Sequence, residues 1–229
     1  MYNRDYLTNK TSEEINSKVS INEFLSQTYK LIAGSILACL VGLYLTLPYA
    51  SVFSMPLMIG ILVVEIGLIF AINIMKHKLG VNLGLLFLFG FVTGVSIVPL
   101  MSVALGMPNG ASIVGQAALM TMLITGGMSM FALTTKKDFS FMGPFLITAV
   151  IGMIVIGLLN VFFFQNSMLH FVMSIIGALI FSAYILYDTQ NIVKGLYQTP
   201  IEAALSMYIN IFMLFQNLLS ILIHTNSDD

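Results

Sequence analysis

Two acidic residues, Glu65 and Asp188, lie inside long apolar stretches of the sequence, where carboxyl groups are rare and usually functional. Glu65 sits within the run LVVEIG, and no Lys, Arg or His occurs at a matching depth in any other apolar run. A carboxyl group without a cationic partner in such a place must be neutral, hydrogen-bonded or in contact with water. Glu65 is therefore a candidate for sensing pH or coordinating a cation. A structural alternative stays open, in which the neutral acid bonds to another helix.

Asp188 lies near the end of the sixth apolar run, and helical spacing places Tyr184 and Asn191 on the same face. The seventh run carries a matching polar stripe made of Glu202, Ser206, Asn210 and Asn217. If the chain turns near Thr199, Asp188 and Asn210 are equally far from the turn, so antiparallel helices would bring them to one depth. An Asp–Asn hydrogen bond, direct or through water, is then expected, because the carboxylate accepts and the amide donates. Alternatively, both stripes serve only to join the two helices.

The elements that must position these residues are membrane-spanning helices. The chain has 229 residues, of which 58% are hydrophobic and 8% charged, whereas soluble proteins average about 25% charged residues. About 20 apolar residues span a bilayer. Seven such runs are predicted, at 28–47, 54–75, 81–101, 111–133, 142–163, 169–190 and 202–223. The sequence therefore predicts an all-α protein surrounded by lipid, and its net charge of -1 provides no basic surface for nucleic acid.

The distribution of the nine Lys and Arg residues predicts the orientation in the membrane. They precede or open the first run or lie in alternate connections, at Arg4, Lys10, Lys18, Lys30, Lys76, Lys78, Lys136, Lys137 and Lys194. Because cytoplasmic loops are enriched in Lys and Arg, the N-terminus is expected in the cytoplasm and the C-terminus in the periplasm of a bacterial inner membrane. Residues 1–26 are predicted to form a polar cytoplasmic tail without a cleavable signal, and residues 27–229 the membrane domain.

No other residue pattern indicates a catalytic or cofactor site. The three His residues are scattered over both ends of the predicted bundle, Cys39 is the single cysteine, and motifs for hydrolysis or nucleotide binding are absent from the sequence. We therefore predict no enzyme activity, no cofactor and no resident metal. Close pairs of glycines, such as Gly90 and Gly94, predict either tight internal helix packing or a homodimer face, so the oligomeric state stays open.

The last two runs resemble the closing motif of the Bax inhibitor-1 family, in the stretches GALIFSAYILYDTQNI from Gly177 and IEAALSMYIN from Ile201. The turn TTKKDFS from Thr134 is similar to that family's loop between helices four and five. The resemblance extends over nearly the whole chain and is to bacterial, YccA-like members. It implies a fold of six helices surrounding a central C-terminal helix.

The resemblance implies two functions from different classes. Some bacterial members are pH-sensitive calcium leaks, in which two aspartates on the last two helices share a proton; Asp188 matches the first of them, and Asn210 replaces the second. An Asp–Asn pair has one titrating group, so coupled titration is not expected here. Glu65 resembles a helix-two glutamate of many members. The predicted ion-path and pH-sensing residues are Asp188, Glu65, Asn210, Asn217 and Tyr184, with transient calcium contacts at Asp188 and Glu65.

The alternative function is that of a modulator of the membrane-anchored protease FtsH, with the tail 1–26 as the binding segment. A secondary transporter is disfavoured, because corresponding halves of the sequence contain no pair of Gly- or Pro-broken spans.

Overall fold

The computed structural model describes residues 4–76 and 78–227, with side chains described from Ile21 onward. Within these residues the chain is helical and has no strand, and seven of its helices are long and apolar enough to cross a membrane. The helices are α1 (Arg4–Thr46), α2 (Met55–Ile74), α3 (Leu79–Ser96), α4 (Val98–Gly106), α5 (Gly110–Thr134), α6 (Met142–Leu159), α7 (Ser167–Val193) and α8 (Pro200–Ser227). A 3-10 turn, Leu47–Val52, follows α1, and a π turn, Asn160–Phe164, extends α6. The predicted all-α membrane architecture is confirmed.

The third apolar run differs from its prediction as a single helix over 81–101. α3 ends at Ser96, the amide of Ile97 still bonds to the carbonyl of Thr93 at 3.2 Å, and α4 begins at Val98. Pro99 lies in the first turn of α4, where its missing N–H costs nothing and its fixed φ suits a helix start. The prediction of one continuous helix to residue 101 is wrong, because the proline starts a new helix.

The C-terminal helix α8 is the central helix, as the resemblance implied. It packs against α1, α2, α3, α4, α5 and α7, whereas α6 packs mainly against α7. Residues on several sides of α8 are fully buried, among them Ala203, Met207, Leu214 and Leu219. A polar side chain on these buried sides of α8, such as Asn210, is therefore enclosed by protein rather than by lipid.

Glycines set the closest helix contact, between α1 and α3. Gly90 and Gly94 face the backbone of Ser35 and Cys39, so a Cβ on either glycine would collide with a carbonyl group of α1. Residue numbers rise together along both helices, from the pair Ser35–Gly90 to the pair Cys39–Gly94, so the two helices run parallel. Small residues allow this approach where lipid removes the apolar driving force. The internal-packing interpretation is confirmed for Gly90 and Gly94, whereas a Cβ on Gly84 would meet open space.

The predicted polar tail, residues 1–26, overlaps the start of α1. Residues 1–3 lie outside the described residues, and the side chains of residues 4–20 are not described. The backbone helix begins at Arg4 and continues into the apolar segment, which starts at Ile21. The tail as a binding segment for FtsH stays a prediction.

Candidate functional site

The carboxylate of Asp188 is enclosed between α7, α8 and the loop that joins them. The side chain is 2% exposed. Its Oδ2 accepts hydrogen bonds from Ser206 Oγ at 2.6 Å and from Asn210 Nδ2 at 2.7 Å, and its Oδ1 accepts one from the hydroxyl of Tyr197 at 2.8 Å. We name these four residues the carboxylate clasp. The predicted hydrogen bond between Asp188 and Asn210 is confirmed.

The short loop between α7 and α8 sets the geometry of the clasp. Gly195 adopts the left-handed conformation with φ of 67°, and the amide of Leu196 bonds back to the carbonyl of Asn191 at 2.9 Å, which ends α7. The chain then reverses within a few residues. This turn makes the two helices antiparallel neighbours and places Tyr197 over the carboxylate of Asp188.

Glu202 caps the start of α8 instead of pointing into the bundle. Its carboxylate accepts the amide of Gln198 at 3.0 Å, and its own amide donates to the hydroxyl of Thr199 at 3.2 Å. This pairing is similar to a capping box, with Thr199 before Pro200 at the first helical position, although the carboxylate binds the amide one residue before Thr199. The interpretation of Glu202 as a member of the polar stripe that matches Asp188 is wrong, because its carboxylate binds the backbone amide of Gln198, just before α8.

The hydrogen-bond donors to the carboxylate of Asp188 are all uncharged. Each of the three clasp bonds comes from a hydroxyl or an amide, and the described salt bridges do not include Asp188. Burial and the nearby Asp188 carboxylate raise the pKa of Tyr197 above its ordinary value, so this hydroxyl stays protonated and can donate. Without a cation, the hold on the carboxylate depends on three directional bonds that a movement of α8 or of the loop would break.

Two predicted path residues lie outside the clasp. The ring of Tyr184 stacks on Phe181 with centroids 6.3 Å apart, and its hydroxyl is not among the donors to Asp188. Asn217 donates to the carbonyl of Met213 at 2.7 Å, and its Oδ1 lies against Gly177 of α7. Neither residue therefore donates a hydrogen bond to the carboxylate, although Tyr184 lies one turn before Asp188 on α7 and close enough to interact with its charge.

Glu65 lies at the middle of α2, beside a cavity of about 310 Å³ between α2 and α8. The cavity is lined by Met58, Ile59, Leu62, Glu65, Ser96, Phe212, Met213 and Gln216. Glu65 Oε1 is buried and has no hydrogen-bond partner among the described residues, and the hydroxyl of Ser96 lies beside the carboxyl group. Asp188 does not line this cavity, so the two acids occupy separate sites.

The described residues bring together no group of three His, Cys, Asp or Glu side chains that could hold a metal ion. The donors available to a cation at either acid are therefore a single carboxylate with neutral oxygen groups around it.

Sequence reasoning missed two polar contacts, one to Asp188 and one from α8. Tyr197 lies in a loop, where no helical spacing relates it to Asp188. Tyr208 forms a buried hydroxyl–hydroxyl hydrogen bond with Thr93 of α3, next to the thiol of Cys39. A tyrosine within an apolar run is the only sequence signal for this second contact, and that signal does not name its partner.

The loop 135–141 is pinned to the end of α7. Gln190 Nε2 donates to the carbonyl of Lys137 at 2.7 Å, and Gln190 Oε1 accepts the amide of Phe139 at 3.0 Å. Lys194 Nζ lies 2.5 Å from Asp138 Oδ1. These contacts place the loops 135–141 and 194–199 at one end of the bundle. We name this the basic end, because its loops carry Lys136, Lys137 and Lys194.

The ion pair at the basic end persists at neutral pH. The hydrogen bond from Lys194, followed by the backbone amide of Ser140, holds the pKa of Asp138 well below its ordinary value. A carboxylate whose pKa is lower in the folded than in the unfolded state stabilises the fold at pH values above its unfolded-state pKa. This stabilisation is lost as the pH falls through the lower folded-state pKa. Because both side chains are accessible to water, the contribution is small.

Comparison with known proteins gives matches along nearly the whole chain. The sequence model of the family described as inhibitor of apoptosis-promoting Bax1 matches residues 21–228. A protein of Campylobacter jejuni is 41% identical over 99% of both chains. A membrane protein of Vibrio cholerae is 34% identical over 91% of this chain and 92% of its own length. Mouse protein lifeguard 4 is 30% identical over 87% of this chain and 84% of its own.

Proposed function

Because this chain belongs to the Bax inhibitor-1 family, we propose that this multi-pass membrane protein is a passive leak for cations such as calcium, influenced by pH. The proposal places it in the bacterial inner membrane with its N-terminus in the cytoplasm. The carboxylate clasp holds the basic end of the path closed, and Asp188 is the ligand that the clasp withholds from the ion.

The observation that supports this proposal is the position of Asp188, which suits it both to accept the bonds that close the clasp and to serve as a ligand for the ion. Its carboxylate fastens α7 to α8 through bonds to Ser206 and Asn210, and it is only 2% exposed. Hard cations prefer carboxylate and carbonyl oxygens. When the donors on α8 move away, the same carboxylate becomes an oxygen ligand within the bundle. Closing and ion binding would therefore compete for one group.

The clasp also supports an influence of pH. It contains one carboxylate, so a single proton decides whether Asp188 presents a charge to its donors and to an ion. Tyr197 adds no second titration near neutral pH, because its pKa is raised. A single-group response is expected, in place of the two coupled steps of an aspartate pair.

The test is calcium flux from liposomes that contain the purified full chain and a trapped calcium dye. Asn210→Ala removes one donor while the carboxylate stays, so flux should rise. Asp188→Ala also breaks the clasp but removes the ligand as well, so its flux should lie about tenfold below that of Asn210→Ala, which corresponds to roughly 1.4 kcal/mol of lost stabilisation of the ion.

Glu23→Ala is the matched control, because this exposed acid on α1 is hydrogen-bonded only to Gln27 among the described residues. Its flux should equal that of the wild type. If Asp188→Ala and Asn210→Ala both leave the flux at the wild-type rate, the leak proposal is wrong.

A further inference from the structure

The cavity beside Glu65 opens towards lipid. Its α2 wall includes Ile59 and Leu62, whose side chains are 51% and 52% exposed on the outer face of the bundle. Glu65 lies near the middle of α2, about 15 Å from either end of that helix. A ligand would therefore reach this cavity from within the bilayer rather than from the aqueous phase.

The chemistry of the cavity wall is that of one acid on an apolar surface. Ser96 and Gln216 are its only other side chains with oxygen atoms, and the remaining lining is apolar. Calcium takes six to eight oxygen ligands, so a dehydrated calcium ion would be poorly coordinated here. Phe212 and Met213 instead offer an aromatic face and a polarisable sulfur, which favour an organic cation.

The oxygen of Glu65 that has no partner among the described residues indicates that a ligand here should carry a hydrogen-bond donor. A buried carboxyl oxygen without a partner costs free energy that a donor would recover. All Lys and Arg residues of the sequence lie outside the central part of the apolar runs, so the protein offers no cation of its own at this depth. A protonated amine on an apolar body supplies both the donor and the charge.

We propose that this cavity binds a hydrophobic amine that has partitioned into the bilayer, with its ammonium group on Glu65 and its apolar body against Leu62 and Phe212. The volume of about 310 Å³ lies at the lower end of the range for small-molecule sites. The site is independent of the carboxylate clasp and does not require ion flux.

The test is equilibrium binding of tritiated 4-phenylbutylamine to the full chain in phosphatidylcholine nanodiscs, corrected for protein-free nanodiscs. The wild type should bind the amine saturably, and unlabelled 4-phenylbutan-1-ol should compete at least about tenfold more weakly, because it lacks the charge. Glu65→Gln should weaken amine binding by a similar factor. Glu23→Gln, which removes an exposed acid elsewhere, should bind like the wild type.

Leu62→Trp tests the cavity with Glu65 intact. The side chain of Leu62 lies on the lipid-exposed wall of the cavity. A larger residue there fills the cavity without entering the buried core of the bundle, so amine binding should fall. If the wild type and Glu65→Gln bind the amine equally, or if the alcohol competes as well as the amine, the proposal is wrong. Binding is measured without calcium, so a protein that binds the amine but passes no calcium would overturn only the leak.

Discussion

At the scale of single residues, the main polar feature of the protein is one buried carboxylate that accepts hydrogen bonds only from uncharged donors. Asp188 receives three hydrogen bonds, from Tyr197, Ser206 and Asn210. A buried charge without such donors is costly, and each donor removed leaves an unsatisfied oxygen. The chemical type of side chain 210 therefore affects stability more than its size does. An amide donates a hydrogen bond to Asp188, whereas a carboxylate of the same size would repel it.

The substitution Asn210→Asp tests this point. It places a second carboxylate at hydrogen-bond distance from Asp188, and two close carboxylates cannot both be ionised without strong repulsion. The folded variant must then hold a proton that the unfolded chain releases at neutral pH, so its stability falls as the pH rises. We expect a loss of about 1 to 3 kcal/mol at pH 8 and recovery towards pH 5.

Thermal unfolding in detergent across pH 5 to 8 measures this effect. Asn226→Asp is the control, since Asn226 is exposed near the end of α8 and bonds only to its own helix. Its pH profile should parallel that of the wild type. A parallel profile for Asn210→Asp would contradict the clasp as an electrostatically closed site.

At the scale of elements, the parallel packing of α1 against α3 depends on missing side chains. A Cβ at Gly94 would meet the backbone of Cys39, and backbone cannot move aside as a flexible side chain can. The substitution Gly94→Val should therefore separate the two helices and destabilise the protein by about 1 to 3 kcal/mol. Because α8 packs against both helices, the damage should extend to the Tyr208–Thr93 contact.

The apparent melting temperature of the purified protein checks this prediction. Gly84→Val on the same helix is a matched control, because nothing lies within 4 Å of a Cβ at that position. It should unfold at nearly the wild-type temperature. Equal losses for both variants would show that valine disfavours α3 itself, and that the close approach to α1 is not the cause.

At the scale of the whole molecule, one end carries the positive charge. The loops 135–141 and 194–199 contact each other through Lys194 and Asp138, so their lysines share a face of the bundle. Because Lys and Arg are retained on the cytoplasmic side, we expect this basic end in the cytoplasm and Ser227 on the opposite side.

Single-cysteine labelling with a membrane-impermeant maleimide tests the orientation. In a Cys39→Ser background, Ser227→Cys should react in cells with a permeabilised outer membrane. Lys136→Cys, at an exposed position of the basic end, should react only after the inner membrane is disrupted. The reverse pattern would show that the orientation is inverted.

The positions of the spans and the depth of their polar residues follow from the order of residues along the chain. Hydropathy locates each crossing, and helices rise about 1.5 Å per residue, so equal distances from the turn near Thr199 brought Asp188 and Asn210 together. Local chemistry also determined the break before α4, because Pro99 can start a helix but cannot continue α3; the sequence interpretation overlooked it.

The direction in which each side chain points around its helix depends instead on how the helices pack together. In lipid, the outer faces of helices are as apolar as the buried ones, so apolar periodicity does not reveal which face meets which neighbour. Packing turned Glu65 towards a lipid-facing cavity, left Tyr184 and Asn217 out of the hydrogen bonds to Asp188, and placed Tyr197 in the clasp. Depth follows from counting residues along one helix, whereas direction depends on all of the helices that surround it.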